Sequence, residues 1–482
     1  MTTAIERPSS GVIGRPVDRV DGPAKVTGTA RYAADAPVSE PLYGVVVQAT
    51  IPSGRIASID ETATRAVPGV VEVLTYRNAT RLKAFPFDFS APFTEEVAPM
   101  QGDVIHYDGQ HVAVVVARTF EAAREGATLL TVSYERGPAH FTIDGATEVE
   151  RPKVWFGDDV QPRRGEPEKA YENAEVRIDA TYETPTEHHN PLEPSATIGE
   201  WRDGEIVVHD ATQWVRGTRI CLAKTFDVEE ERVRVISPYV GGGFGCKGWY
   251  WPHTSLAVMA SKLTGKPVKL VLSREQMFTS VGHRSLTRQR IRLGAAHDGA
   301  LASLMHDVEA ESSRVGLFIE SAGRYGLTLF DVPNIAVTHR VARLDLPTPT
   351  AMRAPGEAPG SFGIGCAIDE LAERCGLDPL AVLRRNHTTR DGAANDLPFS
   401  SKHLLECYER GAEAFGWEKR ELGPRTMRDG GELVGWGVAT AMYPALRSQA
   451  EARVTIGEDG TIDVASATHD LGTGQYTILA QI

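Results

Sequence analysis

Cysteine is scarce in this chain: five in 482 residues, at Cys221, Cys246, Cys366, Cys375 and Cys407. No two form a C-x-x-C pair, which excludes a disulfide-stapled scaffold and argues against a four-thiolate zinc or iron–sulfur site within the chain. Any redox chemistry must borrow its electron carriers. Positive charge is also short, since 51 Lys and Arg against 64 Asp and Glu leave a net charge of −13. Nucleic acid and anionic membranes need a clustered cationic surface, so this balance argues against both. No apolar run approaches the ~18–20 residues that span a bilayer; the best are short, such as Val112 to Ala117. The opening MTTAIERPSSGVIG has no basic-then-apolar signal layout. Zincin, serine-hydrolase elbow and P-loop motifs are missing too.

What the chain does have is glycine, 46 residues of it, and 41% hydrophobic content. At ~100–200 residues per domain the length suits about three domains. From Leu42 to Tyr134 the pattern is compact α/β, with β-rich runs at Tyr43–Ala49, Val70–Tyr76 and His111–Ala117. Helical stretches are expected at Glu61–Val67 and Phe120–Leu130, and a strand at Thr131–Glu135. A Pro-rich, charged stretch then reads as a linker. A second unit has expected strands at Glu205–Asp210 and Arg232–Ile236, and helices near Thr254–Leu263 and Gly365–Cys375. A helical piece at Ser401–Phe415 precedes expected strands at Gly435–Tyr443, Glu451–Ile456 and Thr461–Ala467. Tyr476 to Ile482 reads as the start of a helix with no cap or stop signal, so a truncated chain is expected.

Three glycine-rich loops carry the chemistry. The first, Val240-Gly-Gly-Gly-Phe-Gly-Cys-Lys-Gly248, holds five glycines in the eight residues from Gly241 and lets backbone amides approach a ligand closely. Gly243, Gly245 and Gly248 formally satisfy a dinucleotide fingerprint, and Arg274 would suit a 2′-phosphate. The loose strand-to-glycine spacing and the bulky Trp249-Tyr-Trp-Pro252 weaken that reading in favour of another cofactor cradle. The second loop, Ala351-Met-Arg-Ala-Pro-Gly-Glu-Ala-Pro-Gly360, places Arg353 before a helix, a plausible anion or oxo-group position. The third is Asp470-Leu-Gly-Thr-Gly-Gln-Tyr-Thr477, where the amides of Gly472 to Gly474 and the Thr473 hydroxyl would suit a pyrophosphate. Glu187-His188-His189-Asn190 invites a metal reading, but adjacent histidines point apart on strand or helix, and turn or core packing is the expectation.

Taken together, these motifs resemble the molybdenum-binding subunit of the xanthine dehydrogenase/aldehyde oxidase family. The opening Ile13-Gly-Arg-Pro-Val-Asp-Arg-Val-Asp-Gly-Pro-Ala-Lys-Val-Thr-Gly-Thr-Ala-Arg-Tyr32 resembles the family's entry to its α/β hammerhead domain, and the three loops follow in the family's order. The resemblance implies a mixed α/β fold: a hammerhead domain at 20–137, a linker at 138–170, a first molybdopterin-binding domain at 171–400, and the start of a second at 425–482. It also implies hydroxylation of an aldehyde or heteroaromatic C–H with water as oxygen source. The metal would be held by the pterin dithiolene rather than by protein ligands, in molybdopterin or its cytosine dinucleotide form. Electrons would pass to 2Fe-2S clusters and FAD on partner subunits, as in a heterotrimer. The compartment would be the cytoplasm, or the periplasm by co-export with a signal-bearing partner.

Carried over residue by residue, Gln213 matches the glutamine that hydrogen-bonds the molybdenum oxo group. Gly243, Phe244 and Gly245 match the loop beside the metal, and Arg353 the arginine near metal and substrate. Gly472, Thr473 and Gly474 match the turn on the pterin side. The family's general-base glutamate is expected beyond Ile482, so the chain as given is expected to lack the base. Two departures direct the substrate reading. Gly248 stands where purine-oxidising relatives carry a glutamate, which removes a charge-assisted anchor and favours aldehydes. Ala354 stands where carbon monoxide dehydrogenases place a copper-binding cysteine. The alternatives are an NADP-dependent dehydrogenase built on Gly243–Gly248, and an inactive fragment.

Overall fold

A computed structural model describes residues 14–155, 157–393, 396–444 and 449–482; Ile13 of the opening motif lies outside them. The chain divides into two compact units. The first comprises residues up to 138, then 189–282, then the described residues from 449 onward. Its centre is a seven-stranded mixed sheet in the order Val233–Ile236, Glu205–Asp210, Ala196–Arg202, Val268–Val271, Leu42–Gln48, His111–Ala117, Val70–Thr75. The strands expected from β-rich runs form within a residue or two of the expected bounds. His111–Ala117 is buried along its whole length, as its apolar run from Val112 should be when both sheet faces are covered. Leu42–Gln48 pairs in parallel with Val268–Val271, so strands from both sides of residue 138 share one sheet.

Two helices fix this sheet. Phe120–Leu129 starts on Thr119, whose hydroxyl accepts the Ala122 N–H at 3.2 Å. Pro252–Thr264 begins with proline, whose missing N–H costs nothing in a first turn, and stops at Gly265 in the left-handed region (φ 68°). It packs against Ala196–Arg202 at Gly199, where a Cβ would lie 2.8 Å from the Ala257 carbonyl carbon and the Val258 nitrogen. Only glycine allows that approach. The dinucleotide alternative needs a parallel β-α-β unit of neighbouring strands. Here the strands before and after this helix, Val233–Ile236 and Val268–Val271, are separated by two others, so that unit does not form.

The second unit comprises described residues within 139–188 and 283–444. Its sheet runs Arg163–Arg164, Asn334–Leu344, Leu301–Ser313, Thr287–Ala295, Val176–Thr184, with Val149–Glu150 also paired to Asn334–Leu344. Residues 138–170 thus supply edge strands and, at Pro167–Glu172, the start of a helix. The long helix Glu357–Cys375 lies on the sheet and begins eight residues earlier than expected. Pro359 masked its start in the sequence, yet in a first turn proline removes no hydrogen bond. The strand expected at Gly435–Tyr443 does not form. No described strand pairs with it, and Thr440 is instead tied down by the Tyr325 and Tyr408 hydroxyls. The hairpin Ala452–Ile456/Ile462–Ser466 of the first unit forms as expected. Among the described residues no helix is long and apolar enough to cross a membrane.

Candidate functional site

In the first unit, the strand Glu205–Asp210 ends in a short turn that carries Gln213 to the start of helix Val215–Phe226. The Gln213 Oε1 accepts the N–H groups of Gly245 (3.0 Å) and Lys247 (3.3 Å), while its own backbone N–H donates to the Lys247 carbonyl at 2.7 Å. The glycine loop is therefore wrapped around this one side chain. Because the carboxamide oxygen is engaged by the loop, the carboxamide NH2 is the end left to face a ligand. Gly243 has no room for a side chain: a Cβ would meet the Gln213 Oε1 at 2.2 Å. Gly241 is equally constrained, with the Glu193 Cβ 2.4 Å from where its own would be.

Between Gly242 (φ 88°) and Gly245 (φ 121°) sits Phe244 at φ 55°, a left-handed conformation that a bulky residue adopts only under constraint. The residue is 48% exposed. On the far side of the loop the Lys247 side chain is only 1% exposed, and its Nζ donates to the Glu193 carboxylate (2.8 Å) and carbonyl (2.9 Å). The same carboxylate accepts the Gly241 N–H at 2.8 Å. Burial pushes the Cys246 thiol up to about 12, so it is no nucleophile at neutral pH. Trp251 and Tyr250, the bulky pair that argued against a dinucleotide fingerprint, are buried and brace the loop through the Cys246 carbonyl and Ser255. Arg274, read as a 2′-phosphate ligand, donates instead to the carbonyls of Pro191 and Leu192.

The turn at residues 470–477 belongs to the same unit. Here the structure changes the expectation: the amides of Gly472 and Gly474 already donate to the buried Asp470 carboxylate, at 2.7 and 3.3 Å. They are not free for a pyrophosphate. Thr473, exposed at the tip, keeps its hydroxyl available. Arg19, from the opening motif, donates to the Gly472 carbonyl at 2.8 Å, and the Tyr476 hydroxyl donates to the Pro238 carbonyl just before the glycine loop.

In the second unit, Arg353 lies on an exposed turn and pairs with no carboxylate among the described residues. Ala354 (φ 57°) and Gly356 (φ 86°) turn the chain sharply into helix Glu357–Cys375. The Gly356 N–H donates to the Glu320 carboxylate, which is fully buried. Burial raises Glu320 to about 7 despite the nearby Arg284. A carboxyl raised in the folded state keeps its full contribution below the unfolded value of ~4.3 and loses it as pH climbs through 7, about 3 kcal/mol in all. Glu320→Gln should therefore gain thermal stability relative to the native chain between pH 5 and pH 8. A pH-independent difference in unfolding temperature would contradict this. Glu187, offered as a metal ligand, is an ion-pair partner of Arg284 at 2.8 Å, and His188 packs against His283.

Residues 27–138 match the aldehyde oxidase and xanthine dehydrogenase a/b hammerhead domain, and residues 149–387 and 410–482 match molybdopterin cofactor-binding domains. The chain belongs to the aldehyde oxidase and xanthine dehydrogenase family. It is 38% identical, over 98% of its length, to the aldehyde oxidoreductase molybdenum-binding subunit PaoC of Escherichia coli K12. To the xanthine dehydrogenase molybdenum-binding subunit of E. coli O157:H7 it is 31% identical over 96%. It spans 63% and 64% of the length of these relatives. In fold it resembles the aldehyde oxidoreductase of Desulfovibrio desulfuricans (TM-score 0.80, 23% identity, 96% of this chain and 53% of that one). The quinoline 2-oxidoreductase of Pseudomonas putida 86 is similarly alike (TM-score 0.80, 22% identity, 98% and 64%).

The family's cofactor fits the residues present. A cradle that any Cβ would fill, a carboxamide donor pre-aimed by two backbone bonds, and an exposed aromatic held in a strained conformation all suit a large ligand rich in acceptor atoms. Gln213, Gly243, Phe244 and Gly245 meet around one loop in the first unit, which also holds Gly472, Thr473 and Gly474. Arg353 stands on its own turn in the second. Sequence reasoning missed the residues that hold these: Glu193 and Lys247 for the glycine loop, Asp470 and Arg19 for the last turn, Arg284 and Glu320 for the Arg353 turn. All are charged and largely buried, apart from the half-exposed Arg19.

Proposed function

We propose that this chain is the catalytic subunit portion of a molybdenum hydroxylase that oxidises aldehydes to carboxylic acids. The observation that carries the reading is the Gln213-centred glycine loop, which leaves one oriented amide donor beside an exposed phenylalanine. Gln213 would donate to an oxo group of the bound cofactor, the φ-positive glycines of the loop would admit it closely, and the Thr473 hydroxyl would meet its phosphate-bearing end. Bound molybdenum would supply a Lewis acid and a two-electron acceptor. Arg353 would orient the substrate by its guanidinium fork. The aldehyde preference rests on Gly248, and the greater identity to an aldehyde oxidoreductase subunit than to a xanthine dehydrogenase one supports it. The five cysteines stand apart and free, so the iron–sulfur centres are assigned to partner subunits, and the family resemblance supports assigning FAD there as well.

The test is elemental analysis and turnover of the protein purified from its source with its accompanying subunits. About one molybdenum per chain is expected, and the phosphorus-to-molybdenum ratio, after correction for FAD, separates the mononucleotide cofactor from its dinucleotide form. Aldehydes should turn over faster than xanthine, by about tenfold or more if a charged anchor is truly missing. Faster xanthine oxidation would overturn the argument from Gly248, and a molybdenum-free enzyme would overturn the reading itself.

A further inference from the structure

The Arg353 turn is held more elaborately than a surface turn needs. A tight turn is ordinarily secured by one i to i+3 hydrogen bond. Here the Arg284 guanidinium, 5% exposed, donates to the Arg353 carbonyl at 2.9 Å and approaches the Ala354 carbonyl at 3.5 Å. Its Nε donates to the Glu187 carboxylate at 2.8 Å, and its Nη1 lies 3.7 Å from Glu320. Glu320 in turn accepts the Gly356 N–H. A buried guanidinium and a buried carboxyl thus grip the backbone on both sides of Ala354, the residue at φ 57°.

The grip is also stiff at its base. Arg284 and Glu187 exchange backbone hydrogen bonds of 2.9 and 3.4 Å, just ahead of the strand Thr287–Ala295. At Gly356 a Cβ would sit 2.8 Å from the Ser321 Oγ and 3.0 Å from its carbonyl oxygen, so the turn presses directly on the segment that carries Glu320. Burying the Arg284 guanidinium costs several kcal/mol before any attraction is counted. Such an arrangement is a poor way to stabilise a fold and a good way to fix one backbone position.

We propose that Arg284 and Glu320 are positioning residues for Arg353, setting the direction of its side chain through the backbone of residues 353–356. This rests on the role given to Arg353 above. The planar fork of arginine is what lets one side chain reach two successive carbonyls and a carboxylate, and a lysine ammonium cannot reproduce it. For Glu320 only an acceptor oxygen is required, which a glutamine retains and an alanine does not.

The experiment uses the purified enzyme with its subunits and cofactor. Arg284→Lys should lower kcat by about tenfold to a hundredfold, the scale of a roughly 1 Å misplacement, while KM and molybdenum per chain stay near those of the native enzyme. Glu320→Ala should behave the same way, and Glu320→Gln should restore kcat. Hydrogen exchange by mass spectrometry gives an activity-free readout: the peptide covering residues 350–362 should exchange faster in Glu320→Ala but not in Glu320→Gln. Native kcat in Arg284→Lys and Glu320→Ala would overturn the proposal, as would equal losses of kcat and molybdenum in both. So would failure of Glu320→Gln to restore kcat or exchange. A native enzyme without molybdenum-dependent turnover would instead sink the functional reading, and the exchange comparison would still decide the clamp.

Discussion

A Gly243→Ala variant is expected to fold and to lose most of its turnover. The added Cβ would lie 2.2 Å from the Gln213 Oε1 and 2.6 Å from its Cδ, far inside contact distance. That clash is with the tip of a flexible side chain, so the carboxamide can swing away at modest packing cost. Swinging away is the damage. It strips the acceptor from the Gly245 and Lys247 amides, and an unsatisfied buried amide costs about 1–3 kcal/mol. It also removes the carboxamide donor that the proposed function aims at the bound cofactor, and loss of a single pre-aimed donor of this kind costs of the order of a hundredfold in kcat or more. Turnover and molybdenum content would be measured together, with Gly411→Ala as control. A Cβ on Gly411 meets nothing within 4 Å, and its helix Leu404–Phe415 should gain slightly from alanine. Native turnover in Gly243→Ala would show that Gln213 does not serve the site.

The contrast between Gln213 and Lys247 shows where sequence reasoning stops. The glycine loop was legible because its residue types are unusual in that order: a run of glycines with one phenylalanine has few uses other than close backbone approach, whereas Gln213 came only from the family resemblance. The core was legible for a similar reason, since Val112 to Ala117 is apolar without interruption and Thr119 caps the helix that follows. Lys247 carried no such signal. A lysine or glutamate is by default a solvated residue, and the 54 residues between Lys247 and Glu193 hide their meeting from any local pattern. Arg284 and Arg353, 69 residues apart, are hidden in the same way. Local pattern misled once outright. Gly435–Tyr443 alternates as a strand should, but alternation describes only one member of a pair, and no described partner exists for it.

Lys247→Met is expected to be the most destabilising single change at the site. Methionine fills the space of the lysine stem, so the loss is electrostatic rather than a cavity. The Glu193 carboxylate, 13% exposed, would keep its Gly241 N–H bond but lose its buried cation. Breaking one side of a buried pair in this way costs about 3–5 kcal/mol. The double variant Glu193→Gln/Lys247→Met removes the stranded charge while leaving an acceptor for Gly241, so it should recover about half of that loss or more. Denaturant unfolding of the two variants checks the sign: a double variant no more stable than Lys247→Met would mean that packing, not charge, makes Lys247 necessary. The functional consequence follows from the geometry. Glu193 holds Gly241 at one end of the loop and Gln213 holds Gly245 and Lys247 at the other, so freeing Glu193 loosens the cradle from the side away from Gln213. Lys247→Met should therefore lose molybdenum in proportion to its lost stability, whereas Gly243→Ala should lose turnover ahead of stability.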